Sequence, residues 1–397
     1  MKSRETKKTP TPSTTKHQVV WGDAARMSVI PDGSVDLVVT SPPYPMIAMW
    51  DGIFGRQAHE ISKTLEKEHG MVAFEAMHAI LDKVWAHVWR VLKPGRFACV
   101  NIGDATRTIG GEFALYPNHA RILTALVNLG FTPLPDILWR KQTNAPNKFM
   151  GSGMLPAGAY VTLEHEYILI VRKGGKRIFS KAADKQRRRE SAFFWEERNV
   201  WFSDIWLDIK GSRQILADKA LRQRSAAFPF DIPYRLINMY SIKGDTVLDP
   251  FMGTGTTTRA AMAAGRNSIG IEIDPHFKPA VLADPAAVCQ LANARFDQRL
   301  ENHRRFVRDR IDNGYRFKHV NAHYDFPVMT AQEKALRFDR PVSARTPAGR
   351  TAIVTYTADT GTTGRLMEIP PPQKGANPRQ RSLFTMTDNR LEQRHQT

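Results

Sequence analysis

The chain has 397 residues, with 57 Lys and Arg against 39 Asp and Glu, so its formal net charge is +18 and its pI is near 10. At 42% hydrophobic and 24% charged residues, and without an apolar run of the roughly 18 residues that a membrane helix needs, the sequence excludes a membrane-spanning protein. Its two cysteines, Cys99 and Cys289, are too few for a disulfide framework or a cysteine-rich zinc site. The excess of positive charge favours a polyanionic partner, with nucleic acid as the first choice.

The first half of the chain predicts strands that alternate with helices. Residues 1–16 are expected to form a disordered tail, because Lys and Arg occur there with no apolar stretch behind them, which also excludes a signal peptide. Short β-branched or apolar runs predict strands at 18–23, 35–40, 96–102, 137–139 and 166–171. Apolar periodicity predicts helices at 71–92 and 117–130, and the Asn-, Gly- and Pro-rich residues 142–160 indicate a mobile loop.

The second half begins with a change of composition. After Lys173 a basic and aromatic segment, 174–225, indicates an insertion. The alternation of helices and strands then resumes. The sequence predicts helices at 230–241 and 256–264, strands at 245–249 and 268–273, and one arginine-rich helix at 285–312. The remaining tail contains one run typical of a strand, at 352–357. Alternating strands and helices predict an α/β fold with a doubly wound, largely parallel sheet.

The first motif with chemical content is Thr40-Ser41-Pro42-Pro43-Tyr44, at the carboxyl end of a predicted strand. Ligands bind at that edge of open α/β sheets. The prolines fix the backbone and remove two N–H donors, so the Pro42 carbonyl and the Ser41 hydroxyl are both available to accept from one NH₂ group. Tyr44 offers a face on which a base can stack. An exocyclic amine is a poor nucleophile, and two acceptors that hold its protons favour the pyramidal nitrogen of the transition state.

The second motif is VLDPFMGTGTTTRAA at 247–261, a strand that ends in Asp249, a turn with Gly253 and Gly255, and a helix. Glycines allow the backbone to turn sharply and approach a ligand, and a carboxylate at a strand end can accept from ammonium or hydroxyl groups. GTGTTT lacks the Gly-Lys-Ser or Gly-Lys-Thr of a phosphate-binding P-loop. Glu272, near the end of the next strand, stands where a carboxylate contacts ribose hydroxyls, with Asp274 as the rival.

Together these motifs resemble the two hallmarks of the amino-methyltransferase family, the tetrapeptide (Asp, Asn or Ser)-Pro-Pro-(Tyr or Phe) and the S-adenosylmethionine loop. The catalytic motif comes first and the basic segment lies between the two, which is the circularly permuted order of the family's beta group. The resemblance covers 17–285 as the catalytic domain and implies a Rossmann-like methyltransferase sheet. It also implies that 174–225 is the target recognition region and leaves 286–397 as a basic helix with an accessory C-terminal region.

The resemblance implies roles for individual residues. Ser41, Pro42, Pro43 and Tyr44 would form the catalytic motif. The residues that would bind S-adenosyl-L-methionine are Asp23, Thr40, Phe228, Pro229, Asp249, Pro250, Phe251, Gly253, Gly255, Thr256 and Glu272. The DNA contacts expected from charge and aromatic content are Arg187, Arg188, Arg189, Trp206, Arg304 and Arg308. His165 next to Glu166 could indicate a metal site or an acid–base pair, but a single histidine beside a strand is more often structural, and we expect no metal.

The function implied is methylation of the exocyclic N4 of a flipped cytosine in double-stranded DNA, because in this family a Ser-Pro-Pro-Tyr motif goes mainly with cytosine N4. Adenine N6 is the first alternative, followed by methylation of RNA or of protein amides. A non-catalytic DNA-binding protein that retains the fold is the alternative of another class. A prokaryotic or phage protein of this kind is expected in the cytoplasm, associated with the nucleoid, with a cognate restriction endonuclease as partner if it belongs to a restriction-modification system.

Overall fold

The computed structural model of the protein describes residues 13–141, 150–211, 227–279, 281 and 284–359. The helices of these ranges are α1 Asp51–Gln57, α2 His59–Glu66, α3 Gly70–Val91, α4 Asn118–Asn128, α5 Ala182–Glu190, α6 Trp195–Trp201, α7 Asp231–Tyr240, α8 Thr256–Ala263 and α9 Pro285–Asp312. The strands are β1 Ser13–Trp21, β2 Val35–Thr40, β3 Leu92–Ile102, β4 Ala105–Ile109, β5 Glu112–Tyr116, β6 Phe131–Pro133, β7 Ile137–Arg140, β8 Met150–Gly151, β9 Ala159–Tyr160, β10 His165–Lys173, β11 Ile205–Trp206, β12 Thr246–Asp249, β13 Asn267–Glu272, β14 His319–Val320, β15 Pro327–Val328, β16 Asp339–Ala348 and β17 Thr351–Ala358.

Within the described ranges, eleven strands form one central sheet in the order β11-β7-β10-β3-β2-β12-β13-β1-β17-β16, with β6 paired to β10. The neighbours β3, β2, β12, β13 and β1 are mutually parallel. Strands β10 and β17 run antiparallel to this group on either side of it. We call the edge where the five parallel strands end the carboxyl edge and the opposite edge the amino edge.

Helices cover both faces of the sheet, which confirms the predicted doubly wound α/β fold. Strand β2, which is rich in β-branched residues, is buried along its whole length. Val38 packs in the core cluster under α3, and Leu37 and Val39 pack in the cluster on the opposite face. Helix α3 contributes buried side chains at helical spacing, among them Met77, Leu81, Val84, Trp85 and Val88. Helices α7, α8 and α9 pack on the other face. A strand buried on both faces explains the apolar run at 37–39.

The structure changes the boundaries predicted for both ends of the catalytic domain. Strand β1 begins at Ser13, inside the expected 1–16 tail, because residues 13–18 pair with β17; residues 1–12 lie outside the described part. The segment 286–397 is not wholly an accessory region, since α9 carries core residues and β16 and β17 extend the central sheet. Residues 360–397 are outside the described ranges.

Candidate active site

A pocket opens at the carboxyl edge, between the ends of β1, β2, β12 and β13 and the helices α1 and α3, and encloses about 1030 Å³ including its open mouth. The predicted site residues that line it are Asp23, Ser41, Pro42, Pro43, Tyr44, Phe228, Asp249, Pro250, Phe251, Gly253, Thr256 and Glu272. Residues more than 200 positions apart therefore meet in one cleft, as expected from parallel strands that end together.

The motif that follows β2 lies on the wall of this pocket. Its tyrosine is half-buried, and the Tyr44 hydroxyl donates to Glu166 Oε2 at 2.8 Å and lies 3.1 Å from Ser41 Oγ. Burial, followed by the nearby Glu166 charge, raises the pKa of Tyr44 well above its usual range, so the phenol keeps its proton at neutral pH. The close packing depends on Gly103, where a Cβ atom would stand 3.0 Å from the Tyr44 ring and 3.3 Å from Glu166 Cγ.

Asp249, the last residue of β12, is a buried carboxyl group on the pocket wall. Thr40 Oγ1 donates to its Oδ1 atom at 2.6 Å, and the Phe251 N–H donates to the same atom at 3.1 Å. Burial raises the pKa of Asp249 to about 6, although hydrogen bonds from Thr40, Thr257 and Phe251 partly offset that effect. The carboxyl group is held in place by these donors and faces the cleft.

Glu272, the last residue of β13, accepts from the backbone of two loops. The Gly253 N–H donates to Oε2 and the Asp274 N–H donates to Oε1, each at 2.7 Å. Burial raises the pKa of Glu272 to about 7, and those two N–H donors act against the shift. Each carboxylate oxygen has a second acceptor site, so Glu272 can still accept from a ligand hydroxyl. Asp274, the rival, also lines the pocket, but its carboxylate caps the next turn by accepting from the His276 N–H.

The other predicted cofactor residues occupy supporting positions. Asp23 lines the pocket just after β1, and its carboxylate accepts from the Ala25 N–H at 2.9 Å. Gly255 is the N-terminal cap of α8 with a φ of +82°, a conformation that favours glycine. Thr40, Pro229 and Gly255 are outside the pocket-lining set; Thr40 acts through its bond to Asp249, and Pro229 is buried beside Phe228.

Sequence reasoning missed two groups of residues at this site. The apolar wall includes Trp50, Ile53 and Phe54 around α1, a helix that the sequence analysis did not predict, and Ile80, Leu81 and Val84 of α3. The second is the contact between Asn101, Lys141 and Glu166, whose polar atoms meet next to Tyr44, whereas the sequence raises Glu166 only as the neighbour of His165. Residues from three separate strands or strand ends make this cluster, and no local spacing in the sequence could indicate it.

The structure does not bring the predicted DNA contacts of α5 to the pocket. Arg187, Arg188 and Arg189 are exposed on that helix. The chain around it lies at the amino edge, because the backbone N–H of Lys243, just before β12, donates to Oγ of Ser191, just after α5, at 2.9 Å. Residues 212–226 of the predicted recognition region lie outside the described part of the chain.

The prediction for Trp206 is wrong. Its side chain is 1% exposed, and the indole N–H donates to the Trp201 carbonyl at 3.1 Å, because β11 packs this ring into the core beside β7. A buried and already paired indole cannot contact DNA. Arg304 and Arg308 lie on α9, where both pair with Glu301 of the same helix, and neither lines the pocket.

Two other kinds of site are not found among the described residues. They contain no helix whose length and apolar character would allow it to cross a bilayer. Over the same ranges, no group of three or more His, Cys, Asp or Glu side chains is arranged to hold a metal ion. The features of the pocket are its carboxyl groups, its Ser-Pro-Pro-Tyr turn and its apolar wall.

Comparison with known proteins agrees with this geometry. The family model described as DNA methylase matches residues 35–283, a range that contains both motifs. The chain is 50% identical over 328 residues to the Type II methyltransferase M.MthZI of Methanothermobacter thermautotrophicus, covering 82% of this chain and 91% of that relative. It is 52% identical over 279 residues to the Type II methyltransferase M.MjaI of Methanocaldococcus jannaschii, covering 68% of this chain and 90% of that relative.

A solved structure extends the likeness to three dimensions. A DNA modification methylase from Thermus thermophilus, complexed with S-adenosyl-L-methionine, is 32% identical to this chain, with a TM-score of 0.51. The match covers 71% of this chain and 95% of that one. The chain therefore belongs to the DNA methylase family of N4 and N6 amino-methyltransferases.

Proposed function

We propose that this protein transfers a methyl group from S-adenosyl-L-methionine to the exocyclic N4 of a flipped cytosine in double-stranded DNA. At the coarser level it is an S-adenosyl-L-methionine-dependent DNA methyltransferase of the restriction-modification type. The observation that carries the choice of base is Ser41, a neutral hydroxyl at the first position of the motif and on the wall of the pocket. The resemblance associates that residue with cytosine N4.

The donor set of the pocket fits the cofactor. S-adenosyl-L-methionine supplies a methyl group on a positively charged sulfonium, together with an ammonium group and ribose hydroxyls. Buried carboxyl groups such as Asp249 and Glu272 have pKa values raised by the loss of water, and cationic or hydroxyl partners would return them to the ionised form. Asp23 is a third carboxylate at the same edge, and Phe251 and Phe277 add aromatic surface for a planar ring.

The chain's own residues would prepare the target amine. Unstacking the base costs a few kcal/mol, which the pocket offsets by holding the base against the Tyr44 face. Ser41 Oγ and the Pro42 carbonyl would each accept a hydrogen bond from one N–H of the amine, and this favours a nitrogen with an available lone pair. A neutral hydroxyl is too weak a base to deprotonate the amine first, so the proton leaves after the nitrogen has been methylated and become acidic. Holding the reactants at attack distance supplies most of the rate.

Analysis of the modified base tests this proposal. We expect N4-methylcytosine when DNA from cells that express the protein is digested to nucleosides and measured by mass spectrometry. DNA from cells that express the Asp249→Ala variant is the control, because loss of that carboxylate should weaken cofactor binding and remove the product. N6-methyladenine as the sole modified base would contradict the cytosine assignment and leave the family assignment standing.

A further inference from the structure

Four polar side chains form a connected cluster behind the Ser-Pro-Pro-Tyr turn. Tyr44 Oη lies 2.8 Å from Glu166 Oε2 and 3.1 Å from Ser41 Oγ. Asn101 Nδ2 donates to both Tyr44 Oη, at 2.8 Å, and Glu166 Oε2, at 2.7 Å. Glu166 and Asn101 are 7% and 2% exposed, so bulk water does not compete for these bonds. A fifth side chain joins from the rim, since Lys141 Nζ donates to the other carboxylate oxygen, Oε1, at 2.7 Å.

The chemistry of the carboxylate fixes the direction of every bond that Glu166 makes. The Lys141 ammonium, the Asn101 amide and the Tyr44 hydroxyl all donate to Glu166, and an ionised carboxylate can only accept. The single proton of the Tyr44 hydroxyl is therefore used on Glu166. The Tyr44 oxygen is left as an acceptor, which is consistent with the Asn101 N–H that donates to it.

The direction of the hydrogen bond between Ser41 and Tyr44 follows from the same argument. Because Tyr44 Oη has no second proton, the 3.1 Å contact with Ser41 Oγ requires the serine hydroxyl to donate. A hydroxyl has one proton and two lone pairs, so a serine whose proton is committed to Tyr44 presents only acceptor sites to anything else. An amine in the pocket meets a hydrogen-bond acceptor and not a competing donor.

We propose that Glu166 is a positioning residue for methyl transfer, which acts through the Tyr44 hydroxyl to orient the Ser41 hydroxyl as an acceptor for the target amine. The proposal rests on the function proposed above, since it assigns the target amine to Ser41. It does not require the target to be cytosine, because an adenine amine would need the same acceptor. Glu166 itself is absent from the set of residues that line the pocket.

A double-mutant cycle separates this role from a merely structural one. Glu166→Gln introduces an amide that can donate to Tyr44 Oη, which frees the tyrosine proton to point at Ser41 and removes the fixed direction. We expect single-turnover transfer of a tritiated methyl group to unmodified double-stranded DNA to slow on the order of 10- to 100-fold, as for loss of one hydrogen bond to a charged group. Cofactor affinity, measured by calorimetry, should stay within about threefold.

The Tyr44→Phe variant keeps the aromatic ring but removes the hydroxyl that links the two residues. In that background Glu166→Gln should slow transfer by less than about threefold further, because the hydroxyl that connects Glu166 to Ser41 is absent. Glu75→Gln is the control: it makes the same change on a 53% exposed side chain that pairs with Arg121, away from the residues that line the pocket, and it should leave the rate unchanged. Thermal unfolding of each variant identifies any loss of folded protein.

If Glu166→Gln slowed methyl transfer by the same factor in the wild-type protein and in the Tyr44→Phe variant, the proposal would be overturned, since Glu166 would then act by some route other than Tyr44. If Glu166→Gln does not fold, the cycle between Tyr44→Phe and Ser41→Ala tests the link from Tyr44 to Ser41, on which the role of Glu166 depends. Removing the tyrosine hydroxyl should cost little once the serine hydroxyl is gone, and a full additional loss would contradict the proposal. A wild-type protein that transfers methyl groups to no amino nitrogen would instead refute the proposed function.

Discussion

Asp249 and Glu272 carry the two buried carboxyl groups whose protonation the pocket changes most. Burial raises the pKa of Asp249 to about 6 and that of Glu272 to about 7, against ordinary values near 4. Between about pH 4 and pH 7 these two carboxyl groups therefore bind protons more readily in the folded protein than in the unfolded chain. The sign follows: without a ligand, the contribution of these groups to the free energy of unfolding falls as the pH rises from about 4 to 7.

Cofactor binding should have the opposite pH dependence. If Glu272 accepts from ribose hydroxyls as a carboxylate, S-adenosyl-L-methionine affinity should rise as the pH rises from about 6 to 8, because the ionised form becomes dominant. Glu272→Gln should weaken binding by about 1–3 kcal/mol and flatten that dependence. Calorimetry across this range is the measurement. Asp274→Asn is the control, and a variant of Asp274 that alone removes the pH dependence would move the role to that residue.

The sequence predicts those site residues that stand in a recognisable local motif. Ser41 and Asp249 stand at strand ends inside motifs with prolines or glycines, so local patterns were sufficient. Sequence reasoning considers Glu166 only as the neighbour of His165, whereas its contact with Tyr44 joins positions 122 apart. Such a contact depends on which strands become neighbours, here β10 and β3, and sequence spacing carries no information about that choice.

Among the elements, α5 is the one whose position alters a functional expectation. Helix α5, which carries the three arginines, ends beside the amino edge, where the Lys243 N–H donates to Ser191 Oγ. The exposed Arg140 is the last residue of β7, at the carboxyl edge, and the exposed Lys210 follows the end of β11 by four residues. We expect Arg140→Ala with Lys210→Ala to reduce the salt dependence of DNA binding, by about 0.9 in the log–log slope for each phosphate that is no longer neutralised. Fluorescence anisotropy over a salt series is the measurement.

The triple substitution Arg187→Ala, Arg188→Ala, Arg189→Ala is the matched comparison, because it removes more charge at the opposite edge. We expect a smaller change in slope from it. A larger change would mean that DNA follows α5 as the sequence analysis predicted, and that the duplex crosses the amino edge as well as the pocket.

Elements with strong periodicity were predicted well and irregular ones were not. The helix predicted at 285–312 is confirmed as α9. Asp284 is its N-terminal cap, since its side chain accepts from the Ala287 N–H, and Pro285 stands in the first turn. Strand β16 was missed because its sequence, DRPVSARTPA, contains two prolines, which normally argue against a strand. The structure explains them: β16 is the outer strand of the sheet, where an unpaired side tolerates proline.

Residues 313–359 belong to the folded unit. Phe326, Val328, Leu336 and Phe338 are buried in the same cluster as α7 and α9, and the Tyr356 hydroxyl donates to the Met262 carbonyl at 2.6 Å. Deleting 313–397 should therefore abolish folding, since each large apolar side chain removed from a core costs about 2–5 kcal/mol against a total stability of about 5–15 kcal/mol.

Truncation after Asp359 is the control, because it keeps every described element. We expect that variant to show a cooperative thermal transition by circular dichroism and the longer deletion to show none. A folded, DNA-binding protein that lacks 313–397 would restore the sequence-based expectation that this region is a separable accessory.

The pairing of β1 has a consequence for biosynthesis. Thr15 bonds to Tyr356, 341 residues later, and His17 bonds to Ser268, 251 residues later, so the first described strand cannot make these contacts until a further 251 and 341 residues have been synthesised. At about 5–20 residues per second, the nascent chain carries its Ser-Pro-Pro-Tyr motif for roughly ten seconds or more before Asp23 can be fixed beside the pocket. A chain that terminates before β17 leaves one side of β1 unpaired, and an open strand edge is a template for association with other chains. Premature termination should thus yield aggregates rather than a partly active enzyme.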